Sequence, residues 1–273
     1  MSFNLIDYNN KTAVVVGAAT GMGGATGLLL GKLGARVIAI DVADIDYPVS
    51  ESVKLDLRDR DAIDTAVAGL PERIDAVFCC AGVADGVPGI MLINFTGQRY
   101  LVDRLLQSGR LGRGSSVSVI SSVGGMPWMQ NMPQVFEFLN CRDWDSAADW
   151  IANNEGTDSY SFSKQAWNGY VSREALNYLK KGMRINAILP GPTDTPLARA
   201  NADLWLGFGA EYRAEAGVEA LSPEQMANTL AFLGSQAASG INGVILLVDY
   251  GHVNCSITDG WDDPWLGAMM QQG

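Results

Sequence analysis

Histidine is nearly missing from this chain: of 273 residues, only His252 is one. A mechanism built on a histidine base, or a zinc site with several histidine ligands, would rest on that single side chain, so other chemistry is expected and no metal is. Cysteine is sparse as well. Cys79, Cys80, Cys141 and Cys255 show neither metal-ligand spacing nor a disulfide framework, and they read as reduced thiols, mostly buried. Positive charge is short: 19 Lys and Arg stand against 30 Asp and Glu, for a net charge of -11 with no basic cluster. Nucleic acid and anionic membranes, which attract basic patches, are therefore not expected as partners. Although 48% of the residues are hydrophobic, no apolar run reaches the ~20 residues of a membrane span. The polar stretch 1–11 lacks the basic start and apolar core of a signal peptide, so a cytoplasmic location is expected.

What the chain does have is an alternation of β-branched runs and helical stretches. Residues 11–17 form a short apolar run that fits a strand buried on both faces, and Gly17-Ala-Ala-Thr-Gly21-Met-Gly23 follows it into a helix over 24–33. A strand, a glycine turn and a helix N-terminus make a phosphate site, the glycines leaving room for a pyrophosphate to approach the backbone N–H groups. Thr20 and Met22 lie within that turn. A second strand, 35–41, ends in Asp41, where a carboxylate accepts the ribose hydroxyls of NAD and repels the extra phosphate of NADP. No Lys or Arg stands at 42–53 to receive that phosphate, so NAD is the expected cofactor; the bland alternative is that Asp41 merely ends a strand.

The pattern repeats, with a strand at 52–57, a helix at 61–68 capped by Asp59, and a strand at 74–80 followed by Ala81-Gly82. Such alternation predicts an α/β fold: one Rossmann-type, doubly wound parallel sheet flanked by helices on both faces, with ligands outside the carboxyl ends of the strands. A single domain over 1–273 is expected. The Gly17 turn, Asp41, Asp56 and Gly82 all fall at strand ends and would line one crevice. A helix at 91–106 carries Asn94 among apolar residues, either bonded locally to backbone or facing that crevice. A strand at 116–120 ends in Ser121-Ser122, whose hydroxyls either satisfy the loop or hold a substrate oxygen.

Compact alternation then breaks. Residues 124–158, rich in Trp, Met and Pro, form an insert that is either a substrate lid or a subunit contact. A long helix over 160–179 begins with Tyr160 and Lys164, four residues apart and so on one face. A cation near the phenol would draw its pKa toward working range and make the pair an acid/base unit. A strand over 184–189 runs into Pro190-Gly-Pro-Thr-Asp-Thr-Pro196; residues 197–220 read as a helical cover carrying Trp205 and Phe208, followed by a helix from Ser222 and a last strand over 243–249. An acidic, aromatic tail covers 251–273.

Taken in order, Gly17-x-x-x-Gly21-x-Gly23, Asp41, Asp56-Leu57, Ala81-Gly82, Asn94, Ser122, Tyr160-x-x-x-Lys164 and Pro190-Gly191 resemble the short-chain dehydrogenase/reductase family over nearly the whole chain. The long insert is similar to that of the branch holding bacterial 3α-hydroxysteroid dehydrogenase/carbonyl reductase and coniferyl-alcohol dehydrogenase. The resemblance implies Tyr160 as general acid/base, Ser122 on the substrate oxygen, and Lys164 lowering the phenol pKa and binding the nicotinamide ribose. Asn94 would hold a relay water, and Pro190, Gly191, Thr193 and Thr195 would border the nicotinamide. Two departures stand out: Cys79-Cys80 replaces the usual Asn-Asn before Ala-Gly, and Asp249-Tyr250-Gly251 replaces Asp-Gly-Gly. The expectation is an NAD-dependent oxidoreductase acting on a bulky hydrophobic alcohol or ketone, assembled as a dimer or tetramer. The alternative is a non-catalytic NAD(H)-binding sensor on the same fold.

Overall fold

The computed structural model describes residues 6–263 and Leu266; the first residues of the polar start and most of the end of the acidic tail lie outside them. Seven strands form one parallel sheet: β1 (Thr12–Val16), β2 (Arg36–Asp41), β3 (Glu51–Lys54), β4 (Ala76–Cys79), β5 (Ser116–Ile120), β6 (Arg184–Pro190) and β7 (Ile245–Val248). Their order is β3-β2-β1-β4-β5-β6-β7. The chain therefore winds outward from β1 to one side and from β4 to the other. Between those two strands the connections diverge and leave a crevice at the carboxyl edge. β1, β4 and β5 read Thr-Ala-Val-Val-Val, Ala-Val-Phe-Cys and Ser-Val-Ser-Val-Ile, with small and apolar residues because both their faces are covered.

One face is covered by α1 (Gly21–Lys32) and α10 (Pro223–Gly234). The other carries α2 (Arg60–Gly69), α3 (Gly97–Gln107) and α6 (Tyr160–Lys180). Each fully buried Val, Ile or Phe on these faces contributes about 1.5–3 kcal/mol.

The insert supplies α4 (Met132–Asn140) and α5 (Trp144–Asn153), which lie on the far side of α6. Phe138 meets Phe162 at 5.6 Å, Trp150 stacks on Phe162 at 5.7 Å, and a side chain at Gly169 would collide with Val135. The apolar side chains of α4 and α5 thus join the core of their own chain. Lid and subunit contact were the two expectations for this segment; one face of α4 packs onto α6. The segment's first turns, a tight 3₁₀ stretch over Val123–Met129, reach Tyr160, whose ring lies 3.7 Å from an atom added at Gly124.

The expected helix over 91–106 is also not regular. It includes a π-helical turn, Leu92–Thr96, that contains Asn94 and passes into α3. The segment 197–220 breaks into α7 (Pro196–Arg199), α8 (Ala202–Trp205) and α9 (Ala210–Ala216). A short α11 (His252–Ile257) follows β7. No helix among the described residues is long and apolar enough to cross a membrane.

Candidate active site

The crevice beside β1 and β4 encloses about 280 Å³. It is lined by Gly17, Thr20, Gly21, Met22, Gly23, Asp41, Asp56, Leu57, Ala81, Gly82 and Thr195, eleven positions picked out in the sequence. Thr20 is the N-cap residue of α1, yet its side chain makes no capping bond and the first turn holds no acid. The N–H groups of that turn thus remain available to an anion.

The glycines serve a second purpose that spacing does not show. A side chain at Gly17 would strike the Ala81 backbone at 2.4 Å, and one at Gly23 would strike the Gly17 carbonyl at 1.9 Å. These two let strand, turn and helix close on each other, where room for a pyrophosphate was the expected reason.

Pro190, Gly191 and Thr193 do not line the crevice. Gly191 is packed against Asp249, where a side chain would meet it at 2.8 Å, and the Thr193 hydroxyl donates to the Gly191 carbonyl. Thr195 lines the crevice, but its hydroxyl caps α7 by accepting from the Ala198 N–H. The Asp41 carboxylate accepts from the N–H groups of Ala19 (2.8 Å) and Ala43 (2.9 Å), leaving each oxygen a further lone pair for a ligand hydroxyl. Arg58 also lines the crevice, a cation beyond the 42–53 window searched in the sequence. Asp56 holds it through both Nε and a terminal nitrogen.

At the inner end of the crevice lies the expected Ser, Tyr and Lys set. An atom added at Gly82 would sit 3.8 Å from Lys164 Nζ and 3.9 Å from Asn94 Oδ1, which ties the crevice to α6. Ser159 caps that helix by accepting from the Phe162 N–H, so Tyr160 opens its first turn. The 3₁₀ stretch after β5 is pinned across α6 by three bonds: Ser121 donates to the Lys164 carbonyl, Ser161 to the Gly124 carbonyl, and Asn168 to the Gly125 carbonyl. Of the two serines, Ser121 is thereby committed to structure, while Ser122 accepts from the Gly124 N–H and lies near enough to the Tyr160 phenol to favour its ionised form.

The electrostatics differ from expectation. Lys164 is 3% exposed, donates to the Ile120 carbonyl at 2.9 Å, and has its pKa pushed down to about 8 by burial. Its Nζ lies 5.4 Å from the centre of the Tyr160 ring. Burial also raises the Tyr160 pKa; the Ser122 hydroxyl opposes that rise, and the Asp85 charge adds to it. Lys164 was expected to draw the phenol pKa down. In this structure the ammonium is itself poorly solvated, and desolvation governs both groups.

Asn94 is fully buried, and its groups already have partners. Oδ1 accepts from the Val83 N–H (2.8 Å), Nδ2 donates to the Val83 carbonyl (3.0 Å) and to Ser163 Oγ (3.3 Å), and its carbonyl accepts from Trp167 Nε1 (2.7 Å). Asn94 thereby clamps the loop after β4. Two residues escaped the sequence reading. Asp85 Oδ1 accepts from the Tyr160 N–H at 2.7 Å, and its signal, an acid three residues past Ala81-Gly82, has no meaning until that loop reaches α6. Cys80 lines the crevice floor as a thiol whose pKa burial raises, so it is a neutral surface there.

The chain resembles known proteins over most of its length. Coniferyl-alcohol dehydrogenase of Pseudomonas sp. (strain HR199 / DSM 7063) is 28% identical over 257 residues, covering 90% of this chain and 98% of that one. The 3-alpha-hydroxysteroid dehydrogenase/carbonyl reductase of Comamonas testosteroni is 28% identical over 246 residues, covering 87% and 95%. The crystal structure of the 3-alpha-hydroxysteroid dehydrogenase from Pseudomonas sp. B-0831 complexed with NADH superposes with a TM-score of 0.74 at 25% identity, over 93% of this chain and all of that one. A family model described as Enoyl-(Acyl carrier protein) reductase matches residues 146–252. Over most of its length the chain is thus similar to dehydrogenases of one kind, among them the short-chain dehydrogenase/reductase olcF of Penicillium canescens, 27% identical over 273 residues, covering 88% of this chain and 95% of that one.

The backbone accounts for the second departure noted in the sequence. Tyr250 stands where the family has the first glycine of Asp-Gly-Gly, and its φ is 59°. That left-handed conformation is the reason for glycine, and it costs a non-glycine residue roughly 1–2 kcal/mol. The Tyr250 hydroxyl bonds with Gln225, and its carbonyl accepts from Tyr212, so the turn is kept and fastened at the same time. Asp249 completes it by accepting from the Gly251 and Val253 N–H groups.

Proposed function

We propose that this chain is an NAD-dependent alcohol dehydrogenase/carbonyl reductase that acts on a bulky, largely hydrophobic secondary or aromatic alcohol of hydroxysteroid, terpenoid or phenylpropanoid type. The observation that carries this reading is the gathering of Ser122, the Tyr160 phenol and Lys164 Nζ, 5.4 Å from the ring centre, next to Gly82 of a glycine-lined crevice. The residues present fit a dinucleotide. The uncapped first turn of α1 would hold its pyrophosphate, Asp41 its adenosine ribose, and Lys164 the nicotinamide ribose. When bound, the nicotinamide supplies the acceptor or donor of the hydride.

The chain's own groups handle the proton. In oxidation, Tyr160 as phenolate accepts the hydroxyl proton while Ser122 donates to and orients the substrate oxygen; in reduction the phenol returns that proton. Because the Tyr160 pKa is raised, the base form is scarce at neutral pH. Alcohol oxidation should therefore quicken as pH rises into the alkaline range, while carbonyl reduction is already supplied with the phenol at neutral pH.

Preference for NAD rests on Asp41 and on the pairing of the nearby cations, Lys54 with Asp44 and Arg58 with Asp56. The apolar substrate class rests on Trp205, whose ring lies 4.8 Å from that of Tyr160. The first two relatives named above act on alcohols of that kind, as their names state. Assembly as a homo-oligomer is part of the proposal: β7 ends the sheet with four half-buried apolar residues. The test is NADH formation, followed by absorbance, over a panel of steroid, terpenoid and aryl alcohols, with Tyr160→Phe as control. Tyr160→Phe should lose at least about a hundredfold in kcat, the usual share of a positioned acid/base. Retained activity in that variant would sink the mechanism.

A further inference from the structure

The loop after β4 is held at two points. Val83 is gripped through both its backbone groups by Asn94, and two residues later Asp85 accepts from the Tyr160 N–H at 2.7 Å. Between cofactor crevice and α6 this loop acts as a strap, and Asp85 is its far buckle. Its carboxylate also satisfies one of the N–H groups that open α6, where a negative charge is favoured by the helix dipole.

The charges around the phenol are few. Lys164 Nζ comes from α6 itself and lies under the ring; Asp85 comes from the strap. The 3₁₀ stretch after β5 offers the neutral Ser122, and α8 offers Trp205 together with the exposed Asp203. Asp158, just before α6, accepts from the Met91 N–H. Arg199, the nearest cation on α7, is paired with Asp194. With Lys164 buried and bonded to Ile120, the open side of Tyr160 is acidic.

Resting on the function proposed above, we infer that Asp85 is a positioning and charge-selecting residue: it seats Tyr160 through the backbone and makes the site favour neutral alcohols over anionic ones of the same shape. A carboxylate-bearing substrate approaching the phenol meets Asp85, and the one cation beside the ring, Lys164, is buried and turned to the Ile120 carbonyl. The same charge disfavours the phenolate, so it also sets where oxidation begins on the pH scale.

The test compares para-(hydroxymethyl)benzamide with para-(hydroxymethyl)benzoate, alike in shape and one charge apart, on the parent, Asp85→Asn and Asp85→Ala. Asparagine keeps an oxygen for the Tyr160 N–H and removes the charge. In Asp85→Asn the preference for the amide in kcat/KM should shrink about fivefold, mainly through KM of the benzoate, the size of one unit charge several ångströms away near a protein surface. The effect should fade with added salt. Asp85→Ala, which also loses the hydrogen bond, should lower kcat for both alcohols, and Asp85→Asn should largely rescue it. An unchanged amide-to-benzoate ratio, or equal kcat in the two variants, overturns the inference.

A readout independent of turnover is the Tyr160 titration itself, taken as the tyrosinate absorbance of the parent minus that of Tyr160→Phe. Asp85→Asn should move this titration to lower pH, and an unmoved titration overturns the inference whatever the substrate proves to be. Activity surviving in Tyr160→Phe would instead count against the mechanism, so the two failures are separable.

Discussion

Lys164 stays buried although burial holds its amine down at about 8, against a reference near 10.4. The sign of the resulting pH dependence follows from linkage. Below pH 8 the ammonium is charged in both folded and unfolded chains, and the full desolvation cost is present. As pH rises from about 8 to about 10.4 the folded chain carries the neutral amine, and the cost fades. Lys164→Met should therefore be inactive yet more stable than the parent, by up to about 3 kcal/mol at pH 7, with the gap closing toward pH 10; urea midpoints of both proteins across that range check it. At the far end of the crevice, Asp41→Asn should raise kcat/KM with NADP relative to NAD by about tenfold or more, since it removes the charge that repels a ribose phosphate. A ratio unmoved by that change would mean that Arg58 or the loop shape sets the choice. Tyr160, Lys164, Ser122 and Asp41 were legible because their chemistry is carried by residue type and short spacing. Asp85 was not, nor was the partner that Asn94 takes, because Tyr160 and Val83 come within reach only when the β4 loop folds onto α6.

The elements divide into those that hold the site and those that cover it. Strands and long helices were readable from β-branched runs and glycine turns, to within a few residues. The cover was not: the alanine-rich stretch 197–220 has helical composition throughout. Yet it breaks at Ala200 and Asn201 between α7 and α8, and Gly209 and Gly217, at φ of 62° and 68°, bound α9 at its two ends. Likewise the π-turn at Leu92–Thr96 keeps the same apolar set as a regular helix and so leaves no mark on the pattern. α8 exists to carry Trp205 against Tyr160. Trp205→Ala should therefore raise KM for a steroid or terpenoid alcohol about tenfold, the value of a lost aromatic wall, with a smaller change in kcat. A small aliphatic alcohol serves as the control, and an equal effect on both would show that Trp205 positions Tyr160 instead of contacting substrate.

At the scale of the whole molecule, the order β3-β2-β1-β4-β5-β6-β7 brings residues from Gly17 to Thr195 to one edge of one sheet. The half-buried apolar β7 at the end of that sheet calls for a partner surface, and sedimentation of the purified chain should find a dimer or larger species; a monomer at micromolar concentration would remove that part of the proposal. The two halves of the site are fastened very differently. α6 lies between the sheet and the α4–α5 pair, with Phe162, Trp167 and Tyr170 enclosed. The covering helices hang on ring contacts of Phe208 and Tyr212 with His252, on the Tyr212 to Tyr250 bond, and on Arg213 bonds to their own carbonyls. Segments with few buried contacts open first, at a free energy well below that of global unfolding. On warming, the enzyme should thus lose its grip on substrate before it loses its chemistry: KM should climb with temperature while kcat still rises, until the sheet and α6 melt together and activity ends in a single step.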